Sequence, residues 1–491
     1  MTMGGRPRRV VVVGAGVGGL CAAQSLVAAS TSRLPIDVTV LEASGRAGGK
    51  LHTIELDGMP VEAGADSFVV RKPWAVELCR ELGLEDQVVI PGSMGAYVWT
   101  GGRLVPFPDR APFGIPADAG ELLRWEGLPR GPKLRALLDL VRPAGKERDD
   151  ESLGMLLRRR LGEGVAEVMV EPLLAGLHAG DPMRLSVEAT FPELHAWERQ
   201  HGSLLRGARA AARAAREEQG RQPMFATVWG GLSRLAERLV ERVGGDRVRL
   251  DHPVSAIERE PHGYRVRSAG RDLAADAVVV AAPAFEAARL LSTVSPEAAG
   301  ELGAISYVST AVVFVAYPPG TAELIPEGTG FVVPYGDAIL TACTWISRKW
   351  PNPAFEDRAV LRCFVGRAGD EAALGRTDVG LIATVADEVE AALGIGAPPS
   401  ASRMIRWNRS MPQYEVGHLE RVARIEAALG GSPGIFVTGS AFRGVGIADC
   451  VRQGREAAGS VIAYLQEGEA GRVTPDRQPG DVEQEAISWT S

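Results

Sequence analysis

The sequence predicts an α/β fold, and three observations carry the prediction. Four consecutive valines, Val10–Val13, lead into a glycine-rich turn, Gly14 to Gly19, and then into an alanine- and leucine-rich stretch through Ala29. A second β-branched run, Asp37 to Leu41, ends at an acid, Glu42. A third run, Ala277 to Ala282, is continuously apolar, as a strand buried on both faces of a parallel sheet must be. Strand, glycine turn, helix and strand in this order form one βαβ unit.

The glycine turn fits G-x-G-x-x-G through Gly14, Gly16 and Gly19, with Gly18 beside the last of them. The first glycine permits the tight turn, the second lets backbone approach a pyrophosphate, and the third lets helix and strand pack closely. The helix that follows offers free N–H groups and the positive end of its dipole to phosphate. Glu42 lies about 20 residues further on, where a carboxylate binds the ribose hydroxyls of a dinucleotide.

The same stretch imitates a membrane segment. No charge occurs from Val10 to Ser32, and Arg6, Arg8 and Arg9 precede it. The glycines divide the run into strand, turn and helix, so the reading is a soluble chain with no transmembrane segment. The 491 residues suit two to four domains at about 100–200 residues each. A net charge of −7 and 6% aromatic residues provide no basic field for nucleic acid, so no such partner is expected. The five cysteines, Cys21, Cys79, Cys343, Cys363 and Cys450, are odd in number, with no Cys-x-x-Cys. Neither a disulfide framework nor a metal site is signalled, and a reducing cytoplasm fits.

A second set of breaks separates FAD from a nicotinamide cofactor. In Glu42 to Lys50, Gly45 on one side of Arg46 and Gly48 and Gly49 on the other let backbone wrap around an extended cofactor. Arg46 is then available to a phosphate oxygen. Next come Gly64, Ala65, Asp66 and Ser67, a small-residue segment able to lie along a flavin ring. With these residues in place, the N-terminal region resembles the flavin-containing amine oxidase superfamily, which includes protoporphyrinogen oxidases and phytoene desaturases.

Three further blocks resemble the porphyrinogen oxidases within it, the coproporphyrinogen III oxidase and protoporphyrinogen oxidase group. They are Glu171 to Leu194 with its Gly176-Leu177-His178-Ala179-Gly180-Asp181 core, Trp407 to His418, and Gly439 to Val451. The sequence departs from the common pattern at Ala65, where Pro is frequent, and at Ile447-Ala448, where Pro is common before Asp449-Cys450.

The resemblance implies a discontinuous Rossmann-like FAD-binding domain at 1–95, 225–289 and 425–466, with an α+β substrate-binding sheet domain at 290–424. Residues 96–224 read as a mostly helical insertion, and 467–491, polar and without periodicity, as a disordered tail. Strands are read near Thr310–Ala316 and Ala359–Val365. Arg206, Arg209, Arg213 and Arg216 recur at helical spacing, a solvated basic stripe more than a binding patch. Residues 112–145 are amphipathic but interrupted by acids, unlike a monotopic anchor.

By the same resemblance Val254 contacts the adenine end through its backbone, and Trp407 flanks the flavin. Gly439, Gly446, Ile447 and Asp449 close the FAD site. A helix starting near Ile447 directs its positive end at the N1–C2=O edge of the flavin, where reduction places negative charge. Asp449 reads equally well as a first-turn helix acid. Arg71 and Lys72, just past the flavin-facing segment, are candidates for binding substrate carboxylates, with plain surface charge as the alternative. His178 and His418 lack partners at metal spacing and read as structural.

No obligatory general base is visible, and the resemblance implies that flavin N5 does the chemistry by accepting hydride. The implied activity is oxidation of coproporphyrinogen III to coproporphyrin III in heme biosynthesis, with dioxygen reoxidising the flavin to give hydrogen peroxide. Protoporphyrinogen IX is the alternative substrate. A flavin amine oxidase, a phytoene-type desaturase and a non-catalytic porphyrin-binding flavoprotein are the rivals. Weak membrane association and hand-off of product to a ferrochelatase are compatible with the resemblance.

Overall fold

The structure, a computed structural model, describes residues 6–145, 150–218, 224–355 and 357–470. The valine run forms the strand Arg8–Val13, central in a five-stranded parallel sheet. Its neighbours are Ile36–Leu41 and Ala277–Val280, with Val248–Arg249 and Ile435–Val437 at the edges. Alternation along the central strand sends Val10 and Val12 to one face and Val11 and Val13 to the other. Both faces are covered, which is why the strand carries no polar residue between Val10 and Val13. On the first face lie the helices Val17–Ala29, Ser233–Val243 and Ile447–Ala470. On the second lie an antiparallel three-stranded sheet, Val254–Ala275, and the helices Ala284–Leu291, Pro296–Gly303 and His418–Gly430.

The second large sheet has seven strands. Its spatial order is Ala401–Pro412, Tyr307–Pro319, Arg358–Val365, Leu340–Trp345, Gly330–Val332, Tyr97–Thr100 and Arg103–Pro106. Helix Asp378–Leu393 covers one face, and the hairpin Thr53–Leu56 and Met59–Glu62 packs on the other. The two strands anticipated from sequence near 310–316 and 359–365 are its core members.

Two sequence readings change here. The segment 96–224 opens with an antiparallel hairpin, Tyr97–Thr100 and Arg103–Pro106, joined at Gly101 and Gly102, whose first strand pairs in parallel with Gly330–Val332. Four-residue strands are too short for their period to stand out from a neighbouring helical pattern, and a distant partner decides them. Helices follow from Ala119–Arg124 to Leu204–Glu218. The last helix continues to Ala470, past the residue 467 at which the tail was read to begin, and residues 471–491 lie outside the described residues. The arginine stripe is exposed as read, with Arg213 paired to Glu217 at 3.1 Å and Arg206 donating to Leu140 O at 2.8 Å. Among the described residues no helix is long and apolar enough to cross a membrane.

Candidate cofactor and substrate site

The glycine turn sits at the C-terminal end of the central strand, where the first helix begins. Gly14 has φ +104, and a Cβ there would stand 2.8 Å from Ala281 O; one on Gly19 would stand 2.1 Å from Gly14 O. Both are therefore required by the fold itself. Gly16 differs, because a Cβ there meets nothing within 4 Å. That open face lies at the N-cap of helix Val17–Ala29, which has no side-chain cap. Its free N–H groups are available to an anion.

Glu42 seals the turn from the side. Its Oε2 accepts from Ala15 N–H at 2.8 Å and its Oε1 from the N–H and hydroxyl of Ser44 at 2.9 and 2.8 Å. One acceptor position of the carboxylate stays available to a ribose hydroxyl. The second glycine break folds back on the first: Gly48 N–H donates to Ala15 O at 2.7 Å, and a Cβ on Gly49 would lie 3.2 Å from Gly16 Cα.

Arg46, read in the sequence as available to a phosphate oxygen, lies between the two glycine breaks. Its guanidinium donates to the carbonyls of Gly49 and Leu51, at 2.5 and 3.3 Å, and so braces its own loop. The next cation along this loop is Lys50, which the sequence reading passed over. Its Nζ has one long contact, 3.4 Å to Ser440 Oγ, and burial pulls its pKa down. A buried ammonium with so little compensation is suited to an anionic ligand. Only its place directly after Gly48-Gly49 could have signalled it.

The Gly64–Ser67 segment packs against that loop. A Cβ on Gly64 would lie 1.9 Å from Lys50 O, and Ala65 N–H donates to the same carbonyl at 3.0 Å. Gly64 O accepts from Arg362, and Ala63 O accepts from Trp407 Nε1 at 2.8 Å. Asp66 accepts from Ser67 Oγ at 2.9 Å and from Lys349 Nζ at 2.7 Å. Burial opposes its ionisation, yet the charges of Lys349 and Arg362 outweigh it and hold the carboxyl well below its usual range.

The third block closes the site from the C-terminal end. Gly439 has φ +123 with nothing within 4 Å of a Cβ, and beside it Thr438 Oγ is buried without a hydrogen-bond partner. Ile447 opens the last helix and is buried, and Asp449 lies in the first turn. Lys72, read as a candidate for a substrate carboxylate, donates to both oxygens of Asp449. Gly444 and Gly446 make room for that carboxylate: a Cβ on Gly444 would lie 2.5 Å from Asp449 Cγ. Arg71 remains exposed, 3.7 Å from Glu193.

The carbonyl of Val254 accepts from Arg289 Nη2 at 2.9 Å. The two histidines are built into the fold. His418 stacks on Tyr414 at 4.0 Å and its Nε2 lies 2.8 Å from Phe442 O, while burial lowers the His178 pKa to about 4. Tyr414 joins the blocks, donating to Ser440 O at 2.8 Å and accepting from Gly444 N–H at 3.0 Å.

These residues fit FAD. Gly16 and Gly439 leave room where side chains would intrude, a helix N-terminus and Lys50 provide positive charge for a pyrophosphate, and Glu42 offers an acceptor for ribose.

Comparison with known proteins agrees. The family model described as flavin containing amine oxidoreductase matches residues 17–462. The coproporphyrinogen III oxidase of Bacillus subtilis (strain 168) is 37% identical over 471 residues, 93% of this chain and 98% of that protein. The chloroplastic protoporphyrinogen oxidase of Nicotiana tabacum is 28% identical, covering 93% of this chain and 85% of that protein. A crystal structure from Exiguobacterium sp. 255-15 superposes with a TM-score of 0.83 at 34% identity, over 94% of this chain and 99% of that one. Cyclohexylamine oxidase from Brevibacterium oxydans shares the fold at 20% identity and a TM-score of 0.65, over 94% of this chain and 100% of that one. With a family model spanning most of the chain and full-length relatives above 30% identity, the chain belongs to the flavin containing amine oxidoreductase family.

Proposed function

We propose that the chain is an FAD-dependent coproporphyrinogen III oxidase of heme biosynthesis. The observation that carries this reading is convergence: blocks around residues 14–19, 42–50, 64–72 and 439–449 meet at one site through direct hydrogen bonds. Full-length relatives named coproporphyrinogen III oxidase support it. In this reading Gly14, Gly16, Gly18 and Gly19 carry the pyrophosphate turn, with Glu42 on the ribose. Gly48 and Gly49 shape the second loop, and Lys50 faces the cofactor's negative charge. Gly64 to Ser67, Trp407 and the helix opening at Ile447 surround the ring, with Val254 at the adenine end.

Bound FAD supplies the hydride acceptor. The chain's own part is to orient the macrocycle, exclude water and hold its carboxylates, for which Arg71 is the more exposed cation of the pair considered. Each round removes one hydride and one proton, and dioxygen takes the electron pair and two protons to become hydrogen peroxide. Three rounds convert the porphyrinogen to the porphyrin. The division into FAD domain, helical insertion and substrate sheet goes with this reading, as do a cytoplasmic location and hand-off of product to a ferrochelatase. The tobacco relative keeps protoporphyrinogen IX as a second substrate reading.

The test is an aerobic assay of FAD-loaded protein with both porphyrinogens in parallel, following porphyrin fluorescence and peroxide. Faster oxidation of the tetracarboxylate is expected. Faster oxidation of the dicarboxylate moves the chain to the second reading. If neither exceeds the rate without enzyme while the flavin stays bound, an amine panel and a non-catalytic role take over.

A further inference from the structure

We propose that Arg362 is a positioning residue for the flavin, fixing the Gly64–Ser67 segment from beneath and placing a fixed positive charge there. The inference rests on the assignment of that segment to the flavin ring.

Arg362 lies on Arg358–Val365, an interior strand of the seven-stranded sheet, and only 5% of it is exposed. Alternation sends Ala359, Leu361, Cys363 and Val365 toward helix Asp378–Leu393. Val360, Arg362 and Phe364 take the face opposite, where Ala63 and Val61 pack. A guanidinium inside a sheet core is costly unless it is paired and bonded. Here it donates to Gly64 O, stands 3.7 Å from Asp66 and lies over the Phe364 ring at 4.6 Å. Its Nε has no partner.

Lys349, from the short helix after the neighbouring strand, donates to Asp66 Oδ2 at 2.7 Å, the same oxygen that Arg362 approaches. Two cations from the substrate sheet thus hold two consecutive parts of the cofactor-side segment, the Gly64 carbonyl and the Asp66 carboxylate. Glu62 completes the cluster, its Oε1 bonded to Leu232 N–H and Thr53 Oγ. An ordinary core position would take an aliphatic side chain of similar volume without these costs. What the arginine adds is a fixed orientation of the Gly64 carbonyl and a positive charge beside a ring that becomes more negative on reduction.

The experiment uses holoenzyme carrying Arg362→Met, Arg362→Lys or, as reference, Glu42→Ala. FAD release on dilution is followed by flavin fluorescence, the reduction potential by equilibration with a redox dye, and folding by thermal denaturation. Arg362→Met is expected to weaken FAD binding about tenfold or more, because Gly64 O and Asp66 lose a buried partner. Its potential is expected to fall below that of the parent, since one positive charge is gone. Arg362→Lys restores the potential and only part of the affinity, because the charge returns without the planar fork. A folded Arg362→Met variant with parental affinity and potential overturns the proposal. If that variant does not fold, unchanged affinity in Arg362→Lys overturns it instead. Loss of FAD in Glu42→Ala alone leaves the flavin site standing and the proposal refuted. An unmodified chain that does not retain FAD refutes both.

Discussion

Lys72 donates to both carboxylate oxygens of Asp449, at 2.8 and 2.7 Å, pinning the segment that follows Gly64–Ser67 to the first turn of the last helix. The pair is asymmetric: the Lys72 side chain is 44% exposed and that of Asp449 11%. Loss of the lysine therefore leaves a mostly buried carboxylate without its cation. Lys72→Met is expected to lower stability by about 1–3 kcal/mol, read as a lower urea midpoint. Arg71→Ala, with 77% of the side chain exposed, is expected to shift stability by less than about 0.5 kcal/mol while raising KM for a carboxylate substrate. An unchanged KM removes Arg71 from the substrate site.

The glycines of the first turn divide into two kinds. Gly14→Ala forces φ +104 on a side chain 2.8 Å from Ala281 O, so the fold itself is expected to suffer, by roughly 1–3 kcal/mol. Gly16→Ala adds a methyl into open space and is expected to leave the melting temperature of FAD-free protein nearly unchanged while weakening FAD binding. Equal losses of stability in the two variants contradict this division.

Burial pushes the Glu62 carboxyl up to about 7, against hydrogen bonds from Leu232 N–H and Thr53 that favour ionisation. The folded state then binds a proton that the unfolded state gives up near its ordinary pKa. This contribution is complete below about pH 4.5 and is lost as pH rises through 7, a change of roughly 3 kcal/mol. Glu62→Gln keeps the acceptor oxygen and never ionises. Relative to that variant, the parent is expected to lose stability steadily between about pH 5 and 8, measured by urea denaturation across pH. Parallel curves exclude the assignment.

In the helical segment Arg160 and Asp139 form a buried pair whose remaining valences are filled. Arg160 donates to Pro143 O at 2.9 Å and Gly202 O at 2.6 Å, and Asp139 Oδ2 accepts from Leu205 N–H at 2.9 Å and from Ser203. Arg160→Met strands the carboxylate and is expected to cost about 3–5 kcal/mol. Asp139→Asn combined with Arg160→Met should recover part of that loss. A double variant no better than the single one counts against a pairwise origin.

Much of the cofactor side was legible because its demands are local. Gly14 and Gly19 are glycines because backbone lies against their Cα atoms, and Glu42 follows the strand that delivers it to Ala15 N–H. The substrate side was harder to read. Arg362 interrupts an apolar strand and, on alternation alone, looks like a position facing water. Lys349 and Trp407 reach Asp66 and Ala63 only because a seven-stranded sheet packs on a hairpin that lies far away in sequence.

The sequence by itself determined the βαβ unit, the family and the glycine breaks, since these depend on backbone conformation and on neighbours within a few turns. Tertiary structure decided the partners of the charged residues. Arg46 braces its own loop, Lys72 holds Asp449, Lys50 reaches Ser440 and Arg362 holds the Gly64 carbonyl. A long cation reaches any of several carbonyls or carboxylates within several ångströms of its Cα, and the choice among them is fixed by which groups the packing has removed from water.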